Sequence, residues 1–77
     1  MTAIQHPFQV RMTVARNIKR LRVRAGMSQE RLARRAGIDR KTVNRIENGH
    51  FSPSLDTLAR IARTQKQHPT TYFKGAK

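Results

Sequence analysis

From Thr13 onward the apolar residues of this chain recur with the period of a helix. Val14, Ile18, Leu21 and Ala25 stand at i, i+4, i+7 and i+11, one stripe along a helical face. Thr13 is placed to cap that helix, and Gly26 to end it in a left-handed turn. The same punctuation then returns. Ser28 opens a second helix with Leu32, Ala33 and Ala36 as its inward stripe and Gly37 as its stop. Asp39 opens a third, running from Arg40 to about Asn48, with Val43 and Ile46 inward and Gly49 as its stop. After a loop containing Pro53, Ser54 opens a fourth, in which Leu55, Leu58, Ala59 and Ala62 keep the i, i+3, i+4, i+7 spacing.

The two ends are less regular. Phe8, Val10 and Met12 alternate with Gln9 and Arg11, which leaves three readings open: a short strand, an arm lying on the core, or disordered chain. Between Thr64 and His68 there is no apolar residue, and Pro69 interrupts the next stretch. Tyr72 and Phe73 are the last large apolar residues, and a short fifth helix over Thr70 to Lys74 is predicted around them. The expected organisation is an N-terminal arm over 1–12, one helical domain over 13–73 and a tail over 74–77. The fold class is all-α, a compact bundle of four to five short helices.

Composition narrows the partners. With 77 residues, 36% of them hydrophobic and no Trp, the core must be small. Seventeen Lys and Arg face four acids, a formal net charge of +13 that repels itself in a compact chain and attracts polyanions. The charge is concentrated: Arg11 to Arg45 holds twelve Lys or Arg against Glu30 and Asp39 alone. Nucleic acid, an acidic protein surface or an anionic membrane are the natural partners. Cysteine is absent, which removes disulfides and thiolate metal sites. Neither a signal-like apolar run nor a stretch long enough to span a membrane is present, so a soluble, cytoplasmic protein is expected.

Catalysis finds no foothold. His6, His50 and His68 are far apart in sequence and have no acid cluster beside them, so no metal site is expected. The four acids contain no close pair for acid–base work. Gly26, Gly37 and Gly49 are helix stops, and neither GxGxxG nor GxxxxGK occurs. No Ser or Thr stands in a nucleophile elbow. The reading is of a non-enzyme without cofactor.

The third helix carries the chemistry. If Val43 and Ile46 face the core, Lys41, Arg45 and Asn48 point nearly opposite, Asn44 points sideways and outward, and Arg40 sits in the exposed first turn. Arg and Lys can donate to guanine O6 and N7, and Asn can pair with adenine N6 and N7, in a major groove wide enough for a helix. Lys41 and Arg45 are like charges at i, i+4, a mildly destabilising pair on a merely solvated face. The missing counter-charge is expected to come from a ligand. Gln29, at the start of the second helix, lies beside the same surface, where a helix N-terminus favours an anion.

These residues resemble a known family. SQERLARRAGIDRKTVNRIENG followed by PSLDTLARIA is similar to the helix-turn-helix domain of the Cro/repressor, or XRE-type, transcriptional regulators, over about Thr13 to Ala62. Gln29, Leu32-Ala33, Gly37, Val43, Ile46-Glu47, Gly49 and Pro53-Ser54 fall in register. The resemblance implies a lambda-repressor-like fold in which the Arg40 helix enters the major groove by its N-terminal half. It further implies that Arg40, Lys41, Asn44 and Arg45 face base edges. Gln29 and Asn48 would hold backbone phosphates, and Thr42 would lie near the backbone. Arg22 would pair with Glu47.

The implied function is sequence-specific binding of double-stranded DNA by a transcriptional regulator, with repression the expected output. A homodimer on a palindromic operator is the expected state. In size and in Asp39-Arg40 the chain also resembles the small controller proteins of restriction-modification systems. Gln65 and Gln67 depart from the family pattern, standing where an apolar pair is expected and leaving the mode of dimerisation open. Two other readings compete. One is an antitoxin that masks a toxin and represses its own operon; the other is a non-specific binder of polyanions driven by charge alone.

Overall fold

A computed structural model describes residues 6–75. They form α1 (Pro7–Arg24), α2 (Gln29–Ala36), α3 (Arg40–Glu47), α4 (Leu55–Gln65) and a closing 3-10 turn (Pro69–Phe73), with no strand among the described residues. α2 packs against both α3 and α4, while α1 crosses α3 and carries the closing turn on its flank.

The first helix begins earlier than its stripe suggests. His6 is its N-cap: the imidazole Nδ1 accepts from the Phe8 N–H at 3.1 Å, and the Gln9 side chain accepts from the His6 N–H at 3.1 Å. This reciprocal box, with Pro7 at the first helical position, starts the helix six residues before Thr13. Thr13 is therefore a buried residue inside α1 and not a cap. The expected strand or arm over residues 7–12 is helix instead. Val10, Val14 and Ile18 extend one i, i+4 series onto the core. Residues 1–5 of the expected arm, and the last two residues of the expected tail, lie outside the described residues.

Each helix stops in the same way. An amide two or three residues past the end of the helix reaches back to a carbonyl: Met27 to Arg22 at 3.1 Å, Ile38 to Ala33 at 2.9 Å, His50 to Arg45 at 2.9 Å and Gln67 to Ala62 at 2.9 Å. The first three follow a glycine; the fourth follows Lys66, held at φ 57°, the one non-glycine residue among those described with a left-handed backbone. Ser28 and Ser54 cap α2 and α4 through bonds to the Arg31 and Thr57 amides at 3.0 and 3.1 Å. Asp39 holds the N-cap position of α3, yet its side chain makes no capping bond.

Ile18, Leu32, Val43, Ile46, Ile61 and Tyr72 form the fully buried centre. In α4 the inward face is Leu58, Ile61 and Ala62; Leu55, expected inward, is 83% exposed, and Ala59 also faces out. The inward stripe starts one turn later than its spacing suggests because Leu55 is the first residue of the helix, at the open edge of the bundle. Two polar side chains fasten the closing turn. Asn17, itself buried, donates to the carbonyls of Tyr72 at 2.8 Å and Lys74 at 3.0 Å. Gln65 donates to the Ile18 carbonyl at 3.1 Å and accepts the Tyr72 hydroxyl. A position that the family pattern gives to an apolar residue thus serves as an internal strut.

Candidate nucleic-acid interface

α3 is held from behind and open in front. Val43 and Ile46 are buried, and Glu47 is buried beside them. Arg40, Lys41, Asn44, Arg45 and Asn48 are exposed, while Thr42 is half-buried at the edge of that face. The candidate contact residues of this helix therefore share one outward surface, with Thr42 at its margin.

The support is a pair of charges. Arg22, near the end of α1, donates from Nε to Glu47 Oε2 at 2.6 Å and from Nη2 to Oε1 at 2.9 Å. Its third nitrogen, Nη1, donates to the Met27 carbonyl at 2.8 Å, in the link to α2. One guanidinium thereby ties the end of α1, the entry to α2 and the last turn of α3. Its hydrogen bond with Glu47 holds the guanidinium above its ordinary pKa, against the opposing effect of burial. The bidentate geometry is what lets such a pair fix an orientation.

A chain of amides carries that constraint outward. Gln29 Nε2 donates to Glu47 Oε1 at 3.0 Å, Asn44 Nδ2 donates to Gln29 Oε1 at 3.3 Å, and Asn48 Nδ2 donates to Asn44 Oδ1 at 3.2 Å. Three of the residues expected to touch DNA are thus joined to one another and, through Glu47, to the core. The sequence gives no sign of this chain, because Gln29 and Asn44 are fifteen positions apart and belong to different helices.

The far end of α3 rests on the first turns of α1. Arg11 donates to the Gly49 carbonyl at 3.3 Å. Gly49 is at φ +74°, and a Cβ there would lie 2.0 Å from the Met12 sulfur, so both backbone and packing select glycine. Nothing in the local sequence marks Arg11 and Met12 as supports of the site; only the helical start at Pro7 brings them to it.

The placement of the acids completes the electrostatics. Glu30 and Asp56 sit in the first turns of α2 and α4, Asp39 stands at the N-cap position of α3, and Glu47 is held by Arg22. The Arg22–Glu47 contact is the one salt bridge among the described residues. Three acids thus stand at helix N-termini, where a negative charge is favoured, the fourth is paired with Arg22, and no salt bridge among the described residues reaches Arg40, Lys41 or Arg45. Among the described residues no group of three or more metal-ligating side chains comes together, and no helix is long and apolar enough to cross a membrane.

Known proteins share this fold. A family model described as Helix-turn-helix matches residues 18–64, which hold α2, α3 and most of α4. The chain belongs to the helix-turn-helix family. An uncharacterized HTH-type transcriptional regulator of Methanothermobacter thermautotrophicus is 46% identical over 46 residues, 60% of this chain and 67% of that protein. The restriction-modification controller protein C.AhdI from Aeromonas hydrophila superposes with a TM-score of 0.79 at 30% identity, covering 82% of this chain and 96% of that one. The hypothetical transcription factor NHTF from Neisseria superposes with a TM-score of 0.80 at 28% identity, covering 95% of this chain and 85% of that one. The match to NHTF extends beyond the residues that carry the family motif.

Proposed function

We propose that this helix-turn-helix protein is a sequence-specific, double-stranded DNA-binding regulator of transcription that reads the major groove with α3. The observation that carries the proposal is the exposed, unneutralised Arg40, Lys41, Asn44 and Arg45 face on a helix fixed from behind by Val43, Ile46 and the Glu47 pair. In this reading those four side chains meet base edges, with arginine and lysine suited to guanine and Asn44 to adenine. Gln29, Thr42 and Asn48 contact the sugar-phosphate backbone and set the register. The amide chain presents Gln29, Asn44 and Asn48 pre-oriented, which lowers the entropy lost on binding.

Similarity to a controller protein and to a hypothetical transcription factor favours a regulator over an antitoxin. Repression is the simplest output, since a bound domain blocks polymerase by occupying its site. The protein then works in the cytoplasm, where the chromosome lies. Homodimerisation is part of the proposal. Pro7, Val10, Leu55, Leu58 and Phe73 line an apolar groove, and the exposed Leu55 and Phe73 leave a surface suited to a second copy. Two copies would read half-sites about 34 Å apart.

Selection of bound fragments from a random duplex pool at physiological salt tests this function. Enrichment of a palindromic motif is expected, with log K falling by about 0.9 per phosphate contact for each log unit of salt. An unenriched pool would overturn it.

A further inference from the structure

The positive charge has a second focus, away from α3. Arg34 and Arg35 at the end of α2 and Arg60 and Arg63 on α4 line one surface groove of about 550 Å³, together with Ala36, Gly37 and Thr64. α3 contributes no residue to its lining. Gln29, which joins the DNA-facing network, is at the other end of α2 from Arg34 and Arg35. The groove thus lies at the end of α2 away from Gln29.

Helix dipoles explain only part of this cluster. A cation in the last turn of a helix is favourable, which suits Arg34, Arg35 and Arg63. Arg60 lies three residues before Arg63, where like charges repel, and its guanidinium reaches to within 4.0 Å of the Cβ position of Gly37. None of the four makes a salt bridge among the described residues: the one such contact is Arg22–Glu47, and Glu30, Asp39 and Asp56 stand at helix N-termini. Four arginines gathered along one groove thus have no carboxylate partner among the described residues.

The form of the groove decides which anion. All four cations are arginines, whose planar fork matches a carboxylate or a phosphate with two parallel hydrogen bonds, so the choice between them rests on the shape and lining of the groove. The volume suits a few side chains on an extended segment and not a duplex. A single strand would need an aromatic platform for its bases, and the lining has none. We infer that this groove is a docking site for an acidic segment of a partner protein, engaged while α3 is on DNA. A regulator with such a site delivers or retains a second protein at its operator through carboxylates seated on Arg34, Arg35, Arg60 and Arg63.

The test titrates a peptide of alternating Glu and Gly into isotope-labelled protein, with and without saturating duplex. Amide shifts are expected at Arg34, Gly37, Arg60 and Thr64, and they should persist when duplex is bound. Arg60→Gln with Arg63→Gln should weaken the peptide by about tenfold, as loss of two solvent-exposed ion pairs implies. The same variant should leave duplex affinity nearly unchanged. Arg16→Gln with Lys19→Gln removes the same charge from exposed positions on α1 and should bind the peptide as the unaltered protein does. Equal losses in the two variants would overturn the site in favour of diffuse attraction. Shifts on α3 that duplex abolishes would overturn it in favour of a carboxylate mimic of DNA. Parallel loss of peptide and duplex in the Arg60/Arg63 variant would overturn it in favour of a nucleic-acid contact. Failure of the unaltered protein to bind any duplex would sink the DNA-reading function and leave the peptide titration to stand or fall by itself.

Discussion

The Glu47 carboxylate, with a side chain only 1% exposed, accepts two parallel hydrogen bonds from the Arg22 guanidinium across the join between α1 and α3. Removing one partner of such a pair leaves the other charged and desolvated. Arg22→Ala is expected to cost about 3 kcal/mol in urea unfolding, whereas Arg22→Met combined with Glu47→Leu should cost far less. The double variant should still lose DNA affinity, because Gln29 and the amides beyond it lose their anchor. A single variant as stable as the double would contradict this account.

Tyr72 gives the fold an alkaline limit. Burial pushes its hydroxyl pKa up from the ordinary value of 10.0. The folded state therefore favours the neutral phenol, and the stability this contributes is fully present below about pH 10 and is lost as pH rises beyond it. The expected slope from this group is about −1.4 kcal/mol per pH unit above that point. Tyr72→Phe should remove that part of the slope while losing about 1 kcal/mol at neutral pH, for the hydrogen bond to Gln65. Unfolding curves at several alkaline pH values, compared between the two proteins, measure the difference.

Lys66 ends α4 in a conformation that suits glycine, at φ 57°. Lys66→Gly is expected to raise stability by about 0.5–1 kcal/mol, the left-handed penalty less the added freedom of the unfolded chain. Gly49→Ala should act in the opposite sense, by about 1–2 kcal/mol from the backbone alone. A steric part from Met12 adds to this, and Met12→Ala should recover only that part. Thermal melts of the three variants and the double check both signs.

These positions also show what local sequence can say about this fold. Gly26, Gly37 and Gly49 mark three helix ends because each stop is written in one residue, and Ser28 and Ser54 mark two starts in the same way. The start of α1 is harder to read, since His6 is an unusual capping acceptor and Phe8, Val10 and Met12 imitate a strand. The end of α4 hides behind a lysine in a glycine conformation. Around the candidate site, the outward face of α3 follows from helical spacing. The amide chain through Gln29, Asn44 and Asn48 and the props Arg11 and Met12 do not, because they depend on how separate helices meet. Asn17 and Gln65 are invisible for the same reason: each is a polar residue whose partner is a backbone carbonyl on another element.

The central claim, that α3 reads bases, rests most directly on Arg45. Its side chain is exposed and outside the amide chain, so Arg45→Ala should leave the fold intact. The decisive measurement is the affinity of this variant for the selected duplex and for a scrambled one at a single salt concentration. The account predicts a loss of about 1–3 kcal/mol on the selected sequence and a clearly smaller loss on the scrambled one. Equal losses on both would mean that Arg45 holds phosphate and reads nothing.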